Sequence, residues 1–83
     1  MGQLKVLLAD DKEVFREGLA RLLDEQEYIE VVSQCANGKQ AIKDVKETKP
    51  DVVLIDNNIS ACGSNEATRE IKKASPKVQV AML

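Results

Sequence analysis

Residues 52–55 form a wholly apolar run, Val-Val-Leu-Ile, in a chain of 83 residues. Three of the four side chains are β-branched, Lys49-Pro50 precedes the run, and Asp56-Asn57-Asn58 follows it. A short apolar run between turn-forming residues is typical of a strand buried on both faces, at the centre of a parallel sheet. Both faces of such a strand need a covering layer, so the run indicates an α/β fold.

The rest of the chain alternates between strand-like and helix-like periodicity. Helices are predicted over residues 12–27, from about residue 41 to the turn at Pro50, and from Ser64 or Asn65 to Ser75-Pro76. Strands are predicted over residues 4–9, 28–35, 52–55 and 78–83. The order β-α-β-α-β-α-β predicts one small domain with a parallel sheet and right-handed crossovers.

The first predicted helix carries one broad apolar stripe, formed by Val14, Phe15, Gly18, Leu19, Leu22 and Leu23. Asp10 or Asp11 can cap this helix. Because glycine costs a helix about 1 kcal/mol relative to alanine, we expect Gly18 to be there for close packing against a neighbour.

The second strand is less apolar than the others and is predicted to lie at an edge of the sheet. Strict alternation would place Val32 on one face and Ile29, Val31, Ser33 and Cys35 on the other.

Composition excludes several classes of function. The net charge is −2 and there is no histidine, so histidine catalysis is excluded and no contact of this segment with nucleic acid is expected. No apolar run approaches the roughly 20 residues of a membrane span, and no signal peptide is recognisable, so a cytoplasmic location is expected. Free thiols are expected at Cys35 and Cys62, with a disulfide between them as the alternative.

Three carboxylates follow predicted strands that the topology would place side by side. Asp10 and Asp11 follow the first strand, and Asp56 follows the third. Converging carboxylates repel one another, and a hard cation with oxygen ligands, Mg²⁺, Mn²⁺ or Ca²⁺, would relieve that repulsion. The alternative is that Asp10 or Asp11 only caps a helix and Asp56 only a turn.

The chemistry that fits a metal held by carboxylates, beside one further carboxylate, is attack by an aspartate on phosphorus. Asp56 is the better candidate for the nucleophile, because the Asp10–Asp11 pair is better placed to hold the metal.

Five segments together resemble the receiver domain of two-component response regulators, most closely those of the LuxR type: Val-Leu-Leu-Ala-Asp-Asp at 6–11, Phe-Arg-Glu-Gly-Leu at 15–19, Ala-Asn-Gly-Lys-Gln-Ala at 36–41, Pro-Asp-Val-Val-Leu-Ile-Asp at 50–56 and Glu-Ala-Thr-Arg-Glu-Ile-Lys at 66–72. The resemblance implies a flavodoxin-like (CheY-like) parallel sheet of order 2-1-3-4-5. It also implies that Asp56 accepts a phosphoryl group from a sensor histidine kinase. Asp11 would bind Mg²⁺ (or Mn²⁺) directly, Asp10 mainly through water, and Asn58 through its backbone carbonyl.

The sequence departs from that family in two ways. Ile59-Ser60 and Gly63-Ser64 stand where the family usually has Met-Pro and Asp-Gly, which loosens the loop that presents Asn58. The family's switch hydroxyl and phosphate-binding lysine would both follow Leu83. We therefore expect residues 1–83 to be a partial receiver domain that lacks the fifth strand, the last two helices and any DNA-binding domain. Self-association through the exposed fourth strand or the uncovered sheet face is expected.

Three functions remain in competition at this point. The first is a phosphoacceptor domain of a transcriptional regulator, with no enzymatic turnover beyond self-phosphorylation from a donor and autodephosphorylation. The second is a degenerate receiver that serves only as an interaction module, which the loop departures favour. The third is a metal-dependent phosphohydrolase, although families of that kind open with a tighter Asp-x-Asp pattern than Asp10-Asp11 provides.

Overall fold

The computed structural model describes residues 3–56, residue 59 and residues 64–83. Four strands alternate with three helices within these ranges, as the sequence predicts. The order is β1 (Leu4–Ala9), α1 (Glu13–Asp24), β2 (Ile29–Cys35), α2 (Gly38–Thr48), β3 (Val52–Ile55), α3 (Ser64–Ala74) and β4 (Gln79–Met82). No helix in the described ranges is long and apolar enough to cross a membrane.

All the strands pair in parallel, in the order β2-β1-β3-β4. The interior strands are β1 and β3, which confirms the central position predicted for the Val52–Ile55 run. The edges are β2, as predicted, and β4. Because β1 and β3 are neighbours and run in the same direction, the residues that follow them lie at the same edge of the sheet.

The sheet separates two apolar clusters. On one face, Leu7, Ala9, Val53 and Ile55 pack against the inner sides of α2 and α3, which contribute Ala41, Val45, Ala67 and Ile71. On the other face, Val6 and Leu8 pack against Ala20, with Leu19 and Leu23 of α1 partly buried beside them. In the part of the chain that the structure describes, helices therefore cover both faces, two of them on one face and one on the other.

A bulge in β2 overturns the predicted alternation of its side chains. Val6 pairs with Val31 but Leu7 pairs with Ser33, so the register shifts by one residue at Val32. A one-residue shift moves all subsequent side chains to the opposite face of the sheet. Ile29 and Val31 therefore lie on the α1 face, whereas Ser33 and Cys35 lie on the α2 face.

Only part of the predicted apolar stripe of α1 packs against the sheet. Leu19 and Leu23 pack against the sheet, but Phe15 is half-exposed, and Val14 and Leu22 are 87% and 61% exposed. The prediction for Gly18 is wrong, because a Cβ added there would meet nothing within 4 Å.

The prediction that Asp10 or Asp11 caps α1 is also wrong. The N-cap position belongs to Lys12, which makes no capping bond through its side chain. The next helix, α2, does have a side-chain cap, because Asn37 accepts the Gln40 N–H at 2.8 Å. It ends at Lys49 in the left-handed conformation (φ 49°), directly before Pro50.

Candidate functional site

The sheet carries Asp10 and Asp56 on the ends of its two interior strands. The backbone N–H of Asp10 donates to the Cys35 carbonyl at 3.0 Å, and the N–H of Asp56 donates to the Ala9 carbonyl at 2.9 Å. These bonds continue the parallel ladder one residue beyond each strand. The backbone of both aspartates is therefore held by the sheet rather than by a loop.

The three predicted aspartates converge. One carboxylate oxygen from each of Asp10, Asp11 and Asp56 lies within 4.8 Å of the others. Asp10 and Asp56 are only 2% and 8% exposed, whereas Asp11 is exposed at the rim. Two buried carboxylates beside a third, with one side open to solvent, form an acidic recess at this edge of the sheet.

A lysine lies in this recess. Lys12 Nζ donates to Asp56 Oδ2 at 2.8 Å and lies 3.2 Å from Asp10 Oδ1. The hydrogen bonds to Asp56 and then to Asp10 raise the pKa of Lys12 above its usual value. The ammonium group therefore partly neutralises two of the three carboxylates.

The backbone holds Lys12 beside the recess. Its N–H donates to Asp10 Oδ1 at 2.8 Å, and its carbonyl accepts the Arg16 N–H at 2.9 Å. The Arg16 side chain also donates to the Asp10 carbonyl at 2.7 Å, through Nη1. These bonds join the end of β1 to the first turn of α1, so the backbone of Lys12, from which the side chain extends, has a fixed position.

Sequence reasoning did not settle the role of Lys12. From the sequence, contact of Lys12 and Arg16 with a phosphoryl group or a partner and solvated positions on the helix explain these two residues equally well. An aspartate side chain commonly accepts the N–H of residue i+2, so the spacing of Asp10 and Lys12 predicts this backbone bond but not the position of the ammonium group.

One residue of the predicted site, Asn58, lies outside the described residues, and so does Cys62. Ile59 is described and is buried, and its N–H donates to the Asp56 carbonyl at 3.2 Å. The other cysteine, Cys35, is a buried free thiol, as expected.

The donor set of the recess suits a hard divalent cation. Mg²⁺ prefers carboxylate, carbonyl and water oxygens, and it is commonly bound by one or two carboxylates with several waters retained. Asp10, Asp11 and Asp56 supply only oxygen donors. The residues present therefore fit Mg²⁺ or Mn²⁺.

The model of the response regulator receiver domain matches residues 6–83. This chain belongs to the response regulator receiver domain family. Response regulator protein VraR of Staphylococcus epidermidis is 46% identical over 80 residues, which cover 96% of this chain and 38% of the relative. Transcriptional regulatory protein LnrK of Bacillus subtilis is 38% identical over 80 residues, which cover 96% of this chain and 36% of the relative.

Solved structures agree with this assignment. A LuxR-family response regulator from Aurantimonas sp. SI85-9A1 superposes with a TM-score of 0.90 at 30% identity, covering 98% of this chain and 58% of that one. The response regulator domain of Thermotoga maritima CheB gives a TM-score of 0.91 at 31% identity, covering 96% and 59%. The receiver fold and family predicted from the sequence are confirmed. The chain spans less than two thirds of the length of these relatives.

Proposed function

We propose that this receiver domain accepts a phosphoryl group on Asp56, with Mg²⁺ held by Asp10, Asp11, Asp56 and the backbone carbonyl of Asn58. One observation carries the proposal: the three carboxylates of the first and third strands converge within 4.8 Å at one edge of the sheet. Family membership supports the same function, because receiver domains of two-component systems are phosphoacceptors.

The step is a substitution at phosphorus. An Asp56 carboxylate oxygen attacks the phosphorus of a phosphohistidine or acyl phosphate. The new P–O bond forms as the bond to the donor's imidazole nitrogen or carboxylate oxygen breaks, and the donor leaves with that electron pair. Asp56 suits this role because it is fixed by the sheet, which limits the motion that would misalign the attack.

A bound divalent cation would neutralise charge on the transferred phosphoryl oxygens. Asp11 is exposed at the rim and would bind the ion directly. Asp10, which is nearly buried and accepts the Lys12 N–H, would act mainly through water, as the resemblance to the family implies. The two carboxylates would hold the ion beside Asp56, and the approaching phosphoryl group would then meet less negative charge.

The donor in the cell would be a sensor histidine kinase, and the parent protein would be a cytoplasmic transcriptional regulator. VraR and LnrK are named as a response regulator and a transcriptional regulatory protein, which supports this assignment. Residues 1–83 would be part of the receiver domain of that regulator. With a net charge of −2, they would make no contact with nucleic acid.

The test is native mass spectrometry with Mg²⁺ and acetyl phosphate, comparing the chain with Asp56→Asn. We expect the folded chain to gain one phosphoryl group and the variant to gain none. Chelation of Mg²⁺ should abolish the gain. A folded chain that never gains a phosphoryl group would contradict the proposal and favour the alternative of a degenerate receiver that acts only by binding.

The metal-dependent phosphohydrolase is the remote alternative. It requires sustained turnover of a phosphate ester, so release of inorganic phosphate from p-nitrophenyl phosphate distinguishes it. We expect no turnover above that of Asp56→Asn.

Self-association through the α1 face is the second part of the proposal. Because α1 packs over β2 and β1, the same face of β3 and β4 has no helix over it within the described residues. Val52 and Leu54 are only partly buried there, and Ala81 is exposed. The exposed side chains of Val14, Phe15 and Leu22 line one side of α1 together with Leu19, which packs against the apolar cluster on this face. A second copy of the chain would bury both apolar surfaces, and the open edge of β4 could pair with its counterpart.

Sedimentation velocity over a range of chain concentrations tests this association. We expect a concentration-dependent dimer that Leu22→Glu weakens. Tyr28→Glu is the control, since Tyr28 is about as exposed as Leu22 and lies outside α1. A monomer at all concentrations, or equal effects of the two substitutions, would contradict association through this face.

A further inference from the structure

The ammonium group of Lys12 lies between two carboxylates of the proposed metal site. It is 2.8 Å from Asp56 Oδ2 and 3.2 Å from Asp10 Oδ1. These oxygens belong to the same acidic recess in which a divalent cation would bind. The described part of the recess therefore already contains one positive charge, supplied by the chain itself.

We propose that Lys12 is a tethered cation that occupies the metal position of the recess and sets the affinity of the site for Mg²⁺. The inference rests on the proposed function, since it concerns the metal of that same site. It assigns Lys12 as a residue that determines the affinity for the ion, in competition with it, rather than as a ligand or a catalytic residue.

Geometry supports competition rather than coexistence. The recess is small, with the three carboxylate oxygens within 4.8 Å of one another. An ammonium group in hydrogen bonds to two of these carboxylates would stand within a few ångströms of an ion bound to them. Two cations so close repel each other, although water around the largely exposed Lys12 side chain weakens the repulsion. Mg²⁺ entry therefore requires Lys12 Nζ to leave.

The Lys12 side chain can leave the recess without a change in the backbone. Its backbone is fixed by the N–H bond to Asp10 Oδ1 and by the Arg16 N–H bond to its carbonyl. Its side chain is nevertheless 59% exposed. The ammonium can rotate into solvent without disturbing β1 or α1, because neither backbone bond involves the side chain of Lys12. The tether keeps it near the recess, ready to return when the ion leaves.

The test is a Mg²⁺ titration of the chain, followed by the backbone amide signals of residues 9–12 and 56 in ¹H–¹⁵N spectra. Four proteins are compared: the wild type, Lys12→Met, Lys12→Arg and Lys43→Met. Lys43 is an exposed lysine of α2, so Lys43→Met controls for the loss of one positive charge. Lys12→Arg keeps a cation on the same tether.

We expect Lys12→Met to bind Mg²⁺ about 3- to 10-fold more tightly than the wild type, where tenfold corresponds to about 1.4 kcal/mol. The Mg²⁺ affinities of Lys12→Arg and Lys43→Met should stay within about twofold of that of the wild type. Lys12→Arg keeps a tethered cation in the recess, and in Lys43→Met the lost charge is distant, so salt screens its effect on the ion. In the wild type, the Lys12 ammonium signal should move towards that of a solvent-exposed lysine as Mg²⁺ saturates the site.

Equal affinities of Lys12→Met and Lys43→Met would overturn the inference, and so would weaker binding by Lys12→Met. If Lys12→Met does not fold, the ammonium signal decides: an unchanged signal at saturating Mg²⁺ overturns the inference. A folded wild type and a folded Lys12→Met that both fail to titrate would overturn the metal site itself. That result differs from a failure of the competition alone, in which both proteins bind Mg²⁺ equally well.

Discussion

The thiol of Cys35 donates a hydrogen bond to Asp44 Oδ2 at 3.1 Å, and this bond joins the end of β2 to the middle of α2. The same carboxylate oxygen accepts the Ser33 hydroxyl at 2.6 Å. Burial, and then the hydrogen bond to Asp44, raise the pKa of Cys35 from 9.0 to about 12. Ser33 and Cys35 share a face with Asp44 only because of the bulge at Val32, so the bulge creates this contact.

Stability should fall at alkaline pH through Cys35. Its pKa is higher in the folded chain than in the unfolded one, so the folded chain binds the thiol proton more tightly. The contribution of this proton to the free energy of unfolding is complete below pH 9 and is lost as the pH rises towards 12. Relative to the non-titrating variant Cys35→Ser, the wild type should lose up to about 1.4 kcal/mol per pH unit above pH 9. Urea unfolding at pH 7, 9 and 10 measures the difference. Parallel pH profiles of the two proteins would contradict the prediction.

Gly18→Ala should stabilise the chain. Gly18 lies inside α1, and a Cβ there would meet nothing within 4 Å. Alanine is favoured over glycine in a helix interior by about 0.8–1 kcal/mol, so the free energy of unfolding should rise by about that amount. Thermal unfolding measures it, with Gly38→Ala as a contrast, since Gly38 is buried at the start of α2. A loss of stability in Gly18→Ala would show that something packs on this side of α1 in solution.

The fold was predictable from the sequence because its main signal is local. The apolar run at Val52–Ile55 and the alternation of periods are enough to predict the element order and the interior position of β3. The bulge at Val32 was not predictable, because nothing in Ile-Glu-Val-Val-Ser-Gln-Cys distinguishes a regular strand from one that shifts by one residue. Pairing with β1 decides between them, and that pairing is not local.

The periodicity of α1 correctly predicted a helix but not which apolar residues it buries. Val14, Phe15 and Leu22 have the same spacing as Leu19 and Leu23, yet only the latter two pack on the sheet.

The candidate site was predictable to a greater extent, because carboxylates that follow two neighbouring parallel strands must lie at the same edge of the sheet. The position of the Lys12 ammonium depends on side-chain conformation, which spacing does not determine.

Buried and exposed positions of the apolar helix faces should respond differently to truncation. Ile71 of α3 is fully buried, so Ile71→Ala should cost about 2–5 kcal/mol and Ile71→Val about 0.5–1.5 kcal/mol. Leu22 of α1 is 61% exposed, so Leu22→Ala should change the stability of the monomer by no more than about 0.5 kcal/mol. Urea unfolding at low chain concentration compares the three. A large cost for Leu22→Ala at low concentration would contradict the exposure of α1.

Removal of Asp11 should separate metal binding from folding. Asp11 is exposed at the rim of the recess, beside the buried carboxylates of Asp10 and Asp56. Asp11→Ala removes one of three like charges, so the metal-free variant should be at least as stable as the wild type.

The Asp11→Ala variant should also lose the stabilisation by Mg²⁺, which amounts to about 1.4 kcal/mol for the wild type when the ion is present at about tenfold its dissociation constant. The matched control is Glu47→Ala, which removes an exposed carboxylate of α2. Thermal unfolding with and without Mg²⁺ gives both quantities. If Mg²⁺ stabilises Asp11→Ala as much as it stabilises Glu47→Ala, Asp11 is not a ligand of the ion, and the metal site must be built from Asp10 and Asp56 without it.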